Sequence, residues 1–324
     1  MSAKKELFPG EGRFYKANLH CHTVVSDGRF TPEEIKKAYS SHGYDIVAYS
    51  DHNVLVSHQD LTDDAFLALN AVEIDFSQPP HKAPPGCDVK VYHLNFFAKD
   101  PADLSFPAFD RVYDPDAVQR LVSDAVKAGF LVQFNHPRWS MQGTDEYARL
   151  KDLFGFEVYN HGCQLEMNDG WGNYEYEYYL REGGNAAPTA TDDNHCADRD
   201  LDSPYNDCFG GWTMIKADRL DYASVIRALE NKNCYATTGP VIYGGSYERL
   251  ENGSVRIRGT ISASSSVFVR TNTRYTGCLH SKQNDIEEFD LTLFGDVRWF
   301  RIEITDDRGN MAVSKAYDTR DPDL

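Results

Sequence analysis

The first two-thirds of this 324-residue chain predicts an α/β fold on a parallel sheet or barrel, and the last third a small all-β antiparallel domain. Three observations carry that expectation. Short apolar runs alternate with helix-like segments over 14–240. Each apolar run breaks into histidine or carboxylate, so polar residues recur at the carboxyl ends of the expected strands, the face that carries chemistry in α/β barrels. After Val241 helical periodicity stops and period-two alternation replaces it.

The elements follow in order. Ala17-Asn18-Leu19 leads into "HCH" at His20-Cys21-His22. Thr31 is an expected N-cap, with Pro32 in the first turn and Glu34 closing a capping box; this helix carries Ile35, Ala38 and Tyr39 and ends near Gly43. "IVAYSDHN" breaks into Asp51 and His52, and "FLALNAVEIDF" ends in Glu73 and Asp75. "DVKVYHLNFF" contains His93 at an expected turn. Val118, Leu121, Val122 and Ala125 have helical spacing and the pattern stops at Gly129. "FLVQFNHP" ends at His136 and "GFEVYNHG" at Asn160 and His161. "NYEYEYYLREGG" is an amphipathic helix with Tyr176, Tyr179 and Leu180 on one face, closed by Gly183-Gly184. "PTATDDNH" ends at Asp193 and His195. In the tail, "SVRIRGTI", "FDLTL" and "FRIEIT" alternate, with Phe300, Ile302 and Ile304 opposing Arg301, Glu303 and Thr305. The expected organisation is an N-terminal extension (1–13), the α/β region (14–240) and the β domain (241–324), with the boundary after Thr238-Gly239-Pro240.

Composition narrows the function classes. A hydrophobic fraction of 41% supports a sizeable core. The net charge of −17 argues against nucleic acid beyond small nucleotides, and against anionic membranes, since both need a basic face. A phosphorylated small molecule stays open, because bound divalent cations dominate the field of their own pocket. Seven cysteines without repeated spacing give no disulfide framework and fit a reducing cytoplasm. The N-terminal segment has lysines but no apolar core of a secretory signal, and no stretch approaches the ~20 apolar residues of a membrane span.

Six of the eleven histidines (His20, His22, His52, His93, His136 and His195) fall at these expected strand ends, with Asp27, Asp51, Glu73, Asp192 and Asp193 beside them. Residues i and i+2 of a strand point the same way, so His20 with His22, and Asp193 with His195, can each grip one ion. Mixed imidazole and carboxylate suits Zn, Mn or Fe. One such histidine is more often a hydrogen-bonded core residue than a ligand; joint placement on successive strand ends is what points to a metal site. Cys21, between two candidates, alternates to the opposite face and is not a ligand.

These motifs resemble those of the PHP (polymerase and histidinol phosphatase) domain: "NLHCHTVVSDG", "AYSDHN", "FNHP" and "TDDNH", in that order over 14–240. "GWTMIKADRLDYASVIRALENKNCYATTGP", "EVYN" and the β tail are similar to the carbaryl-hydrolase-like (CehA/McbA) branch of that superfamily. The resemblance implies a distorted (β/α)7 barrel holding two or three divalent ions. One ion would take His20, His22, Glu73 and Asp193. A second would share Glu73 and take His93 and His136. A third would use Asp27, His52 and His195, while Asp51 and Asp192 would orient histidines. The choice of Asp193 over Asp192 rests on its spacing to His195.

Two ions about 3.5–4 Å apart can bridge a hydroxide, lower the pKa of its parent water and clamp substrate oxygens. The expectation is therefore a metal-dependent hydrolase, foremost a phosphoesterase on a small phosphorylated substrate. A carbamate, ester or amide hydrolase is the alternative on the same site. An alternative of another class is a non-catalytic metal- or carbohydrate-binding module. Arg138 is a candidate anion fork and His161 a candidate general acid. Trp139 and Trp171 are candidate pocket walls. The oligomeric state is not legible in the sequence.

Overall fold

The fold is seen in a computed structural model that describes residues 4–320. Its strands are β1 (Lys5–Glu6), β2 (Arg13–Asn18), β3 (Ile46–Tyr49), β4 (Leu67–Ser77), β5 (Val91–Ala98), β6 (Phe130–Phe134), β7 (Gly155–Asn160), β8 (Ala187–Thr191), β9 (Trp212–Ala217) and β10 (Cys234–Thr237). The tail adds β11 (Ile242–Arg249), β12 (Val255–Ser264), β13 (Ser266–Thr271), β14 (Gly277–His280), β15 (Ile286–Leu293), β16 (Trp299–Thr305), β17 (Met311–Ser314) and β18 (Tyr317–Asp318). The α-helices are α1 (Pro32–Ser41), α2 (Pro115–Lys127), α3 (Thr144–Tyr147), α4 (His161–Met167), α5 (Asn173–Arg181) and α6 (Tyr222–Glu230).

Local chemistry accounts for the helices. Thr31 Oγ1 accepts from Glu34 N at 3.2 Å while the Glu34 carboxylate accepts from Thr31 N at 2.8 Å, the expected capping box. Asp114 caps α2 in the same way through Ala117 N, and α2 buries Val118, Leu121, Val122 and Ala125. On α5, Tyr176, Tyr179 and Leu180 are the buried face.

A long sheet runs in the order β14-β13-β16-β17-β10-β9-β2-β3-β4-β5-β6-β7-β8, with β18 paired to β16. Strands β2, β3 and β4 are parallel, as are β6, β7 and β8. Strand β5 runs antiparallel to both its neighbours, and β9 antiparallel to β2. The expected (β/α)7 barrel is not seen: among the described residues no ladder closes β8 onto β2 or β9. What bridges that gap is an isolated bridge of Cys21 with Asn194, the Asn18 side chain, which accepts from Asp192 N and donates to Asn194 Oδ1, and the Thr213 hydroxyl, which donates to Ala190 O at 3.0 Å and accepts from Ala190 N at 3.1 Å. The β3–β4 connection also lacks an α-helix and carries only a 3₁₀ turn at Gln59–Leu61.

The tail is antiparallel, as its alternation predicts. Two findings alter the expected division. The N-terminal extension is not separate, because β1 pairs with β11 and Leu7 and Phe8 enter the core of the tail with Ile257, Val267, Phe300, Ile302 and Ile304. The large sheet also continues across residue 240, through β10 paired to β17. Alternation on β16 is read correctly, yet Arg301 and Glu303 on its second face are buried too, because that face meets α5. No helix of the described residues is long and apolar enough to cross a membrane. All seven cysteines are free thiols.

Candidate metal centre

The strand order brings all nine expected ligands together. His20 and His22 leave β2 fully buried, with their Nε2 atoms 3.2 Å apart. Glu73 on β4 sits at the hub. Its Oε1 is 3.2 Å from His20 Nε2, 2.9 Å from His93 Nδ1 and 3.5 Å from His136 Nε2. Its Oε2 is 3.3 Å from His22 Nε2 and 3.1 Å from His52 Nδ1. Asp193 Oδ1 is 3.1 Å from His20 Nε2 and 2.9 Å from His22 Nε2. On the outer side, Asp27 Oδ2 is 3.5 Å from His195 Nε2 and 3.8 Å from His52 Nε2, and Asp27 Oδ1 is 3.8 Å from His22 Nδ1.

Three ligand groupings overlap here: His20, His22, Glu73 and Asp193; His52, Glu73 and His93; and His22, Asp27, His52 and His195. His22 thus faces two groupings through its two nitrogens, and His52 joins the hub to the outer group. His136 falls with His20 and Glu157, on the edge of the hub. Although His93 was expected at a turn, it is the third residue of β5. Antiparallel β5 presents its beginning at the face where its parallel neighbours present their ends.

Supporting residues fix these side chains. Glu157, on β7, was not singled out as a site residue. Its Oε1 lies 2.9 Å from His20 Nδ1 and accepts from Thr191 Oγ1, while its Oε2 accepts from His136 N at 2.9 Å. That contact aims His20 Nε2 at the hub. A glutamate within a wholly buried strand was the available signal. Ser140 Oγ meets His136 Nδ1 at 3.1 Å. Asp193 N donates to His20 O and His22 N to Asn194 O, locking the first and fourth motifs together. A Cβ at Gly28 would lie 2.6 Å from His22 O, so glycine alone closes the turn that carries Asp27.

Four expectations need revision. Asp51 touches no imidazole; it accepts from Thr23 N, Thr23 Oγ1, Ser26 N and Ser26 Oγ and so shapes the Asp27 turn. Asp192 accepts from Tyr39 OH and from the N–H groups of Phe209, Gly210 and Gly211, which anchors a loop instead of a histidine. Arg138 does not line the cavity: its Nε pairs with Asp169 at 2.7 Å and its Nη1 with Trp171 O. His161 does not line it either; its Nδ1 meets Tyr159 OH at 3.0 Å and its ring fills the space where a Gly210 side chain would stand. Trp139 does form wall, edge-on to His93 and His136, whereas Trp171 packs on Tyr159.

Charge is tightly balanced. Burial opposes ionisation of Glu73, but the His20 and His93 charges hold it well below the usual carboxylate range. Burial opposes it at Asp193 too, and the His20 and His22 contacts prevail. The imidazoles respond in kind. Burial would depress His20, His22 and His136, yet their carboxylate neighbours raise all three. His195, likewise desolvated, is lifted to about 9 chiefly by its hydrogen bond to Asp27. His52 goes the other way, lowered mainly by burial.

The donor set fits divalent cations. Two buried polar atoms at the heart of the cluster, His22 Nδ1 and Glu73 Oε2, have no hydrogen-bond partner. Orphaned buried atoms are costly, and both belong to groupings of side chains that could hold a cation, which would give each a partner. Imidazole with carboxylate suits Zn, Mn or Fe. The cluster opens into a cavity of about 480 Å³ whose wall includes Trp139, Cys163, Leu165, Glu166, Ala197, Tyr205 and Asp207.

No family model and no curated protein matches this chain. The solved structures to which this chain is similar are distant. One is a two-domain protein from Bacteroides vulgatus containing a predicted PHP-like metal-dependent phosphoesterase, at 13% identity and TM-score 0.47, covering 98% of this chain and 95% of that one. Another, from Bifidobacterium adolescentis, is named as a candidate metal-dependent phosphoesterase (15% identity, TM-score 0.40, 60% and 93% coverage). A third is an amidohydrolase from Chromobacterium violaceum with bound sulfate and no metal (16% identity, TM-score 0.39, 57% and 89% coverage). At this distance the functional argument rests on the site.

Proposed function

We propose that this protein is a metal-dependent hydrolase that cleaves phosphoric esters of small molecules. The observation that carries the reading is the hub at Glu73, where five imidazoles meet one buried carboxylate within 3.5 Å and two buried ligand atoms lack partners. His20, His22, Glu73 and Asp193 would hold one ion; Glu73 with His93 and His136, and with His52 at its edge, a second; Asp27, His52 and His195, with His22 Nδ1, a third. Divalent ions bound there supply Lewis acidity toward the ester oxygens and an activated water.

The chain's own residues do the positioning. Glu157 holds His20 in one orientation, and Ser140 does so for His136. Trp139 and Leu165 give the cavity wall apolar surface. Glu73 and Asp193, both held ionised, are ready to serve as carboxylate ligands. His161 and Arg138, placed off the cavity, have no part in this proposal as proton donor or anion fork.

Carbamate or carboxylic ester hydrolysis is a second reading, favoured by one observation: among the described residues no lysine or arginine lines the cavity. Metal analysis with turnover of 4-nitrophenyl phosphate, bis(4-nitrophenyl) phosphate, and 4-nitrophenyl acetate or a carbamate tests both. Phosphoester turnover lost in His20→Ala supports the first reading. Turnover of only the carbonyl esters supports the second, and no metal uptake from added Mn or Zn overturns both.

A further inference from the structure

Resting on the phosphoesterase reading, we infer that this cavity selects a singly charged phosphodiester bearing an apolar organic arm over a doubly charged phosphomonoester. Two independent features point there. The first is charge. Three candidate ligand carboxylates, Asp27, Glu73 and Asp193, already offset half of what three divalent ions would bring, and Glu166 and Asp207 on the wall add to the negative field. No described lysine or arginine lines the cavity, and the nearby Arg138 is committed to Asp169. A dianionic group, with its rigid need for cationic forks, would find only the ions to receive it. A diester carries one charge fewer.

The second feature is the mouth. Tyr205, which lines the cavity, is 79% exposed, and Leu165 beside it is 41% exposed. Large apolar side chains are rarely gathered in solvent around one opening without a ligand to cover them. Leu165 comes from α4 and Tyr205 from the segment between β8 and β9, so no single strand or helix pattern explains their grouping. An apolar arm seated between Leu165, Tyr205 and Trp139 would bury this surface while the phosphoryl group meets the hub.

Calorimetric titration of manganese-loaded protein at pH 8 with diphenyl phosphate, phenyl phosphate and inorganic phosphate tests the inference. Diphenyl phosphate should bind about tenfold or more tightly than phenyl phosphate. Tyr205→Ala combined with Leu165→Ala should weaken diphenyl phosphate selectively, and Glu166→Lys should strengthen phenyl phosphate, so both narrow the ratio. Equal or tighter binding of phenyl phosphate by the wild type overturns the inference, as does a ratio that none of these substitutions moves. Because the readout is binding, the expected preference without turnover of any ester would support the inference and overturn the phosphoesterase reading. Failure to take up manganese overturns both.

Discussion

Two clusters of buried charge, one in the strand-end cavity and one where β16 meets α5, are built from similar acids and completed differently. At the seam the cation belongs to the chain. Arg301, 1% exposed, bonds Glu303 on its own strand and Glu177 on α5 at 3.1 Å, and Arg270 adds a second bond to Glu303 at 2.9 Å. At the hub of the cavity the acids face histidines and the neutral amides of Asn135 and Asn160, with no lysine or arginine on the described wall, and two buried atoms stay unpaired. A buried acid with a permanent guanidinium is a joint. A buried acid among imidazoles can be a receptor, because an imidazole can release its proton to solvent and bind a metal through the freed nitrogen and a guanidinium cannot.

The sharpest way to break this contrast is to remove the seam cation. Arg301→Met leaves the buried Glu303 without its main partner and takes one of two close cations from Glu177, and should cost about 3 kcal/mol of stability in denaturant unfolding. Adding Glu303→Leu should restore much of the loss, since a well-packed apolar pair can replace a buried ion pair. The pH dependence follows the same pair. Burial would raise Glu303, but Arg301 and Arg270 hold it below its ordinary value. Its contribution is therefore present above the unfolded carboxylate pKa and lost as pH falls through the lower folded value. A seam variant that unfolds with wild-type energy would show that this cluster is not a joint.

The receptor should behave in the opposite way. At a metal concentration about 100 times Kd, the ion should stabilise the protein by ~2.7 kcal/mol, and Glu73→Gln should abolish most of that gain. A smaller effect is expected from Glu157→Gln: about 10- to 100-fold weaker metal binding, from loss of the contact that orients His20. Calorimetry on both variants separates hub from support.

Proton linkage gives a further contrast. His20, His22, His136 and His195 have folded pKa values raised, His195 to about 9. In the metal-free protein their stabilisation is fully present below the ordinary imidazole value and lost as pH rises through the folded value. Metal requires neutral imidazole, so affinity should rise over that same window and binding should release protons. Titrations in buffers of different ionisation enthalpy would show it; binding without proton release contradicts these charges. The smallest expected effects belong to Arg138→Ala and His161→Ala, which should change kcat/KM by less than about threefold, given that surface ion pairs contribute ~0–1 kcal/mol.

Much of the site was legible because its signals are local. The Thr31 helix cap, and ligand pairs two residues apart, follow from short-range geometry. What escaped was set by chain direction and long-range packing. The antiparallel course of β5 moved His93 from a turn into a strand, and no sequence pattern announces a strand's direction. Asp51 and Asp192 look like ligand-orienting acids in "SDH" and "TDDNH", yet loop N–H groups 17 to 28 residues distant capture them. Pairing of β1 with β11 joins residues more than 200 positions apart, so the N-terminal segment reads as an extension until the tail is seen. Glu157 was visible as an acid in an apolar run, but its partner His20 lies 137 residues away.

The central claim is that the Glu73 hub is a receptor for divalent metal. Elemental analysis of chelator-free protein reconstituted with manganese or zinc tests it most directly. The account predicts at least two ions per chain in the wild type, with the count falling in Glu73→Gln while the Arg301 seam variant keeps its ions. A wild-type protein that retains none and takes up none would contradict it.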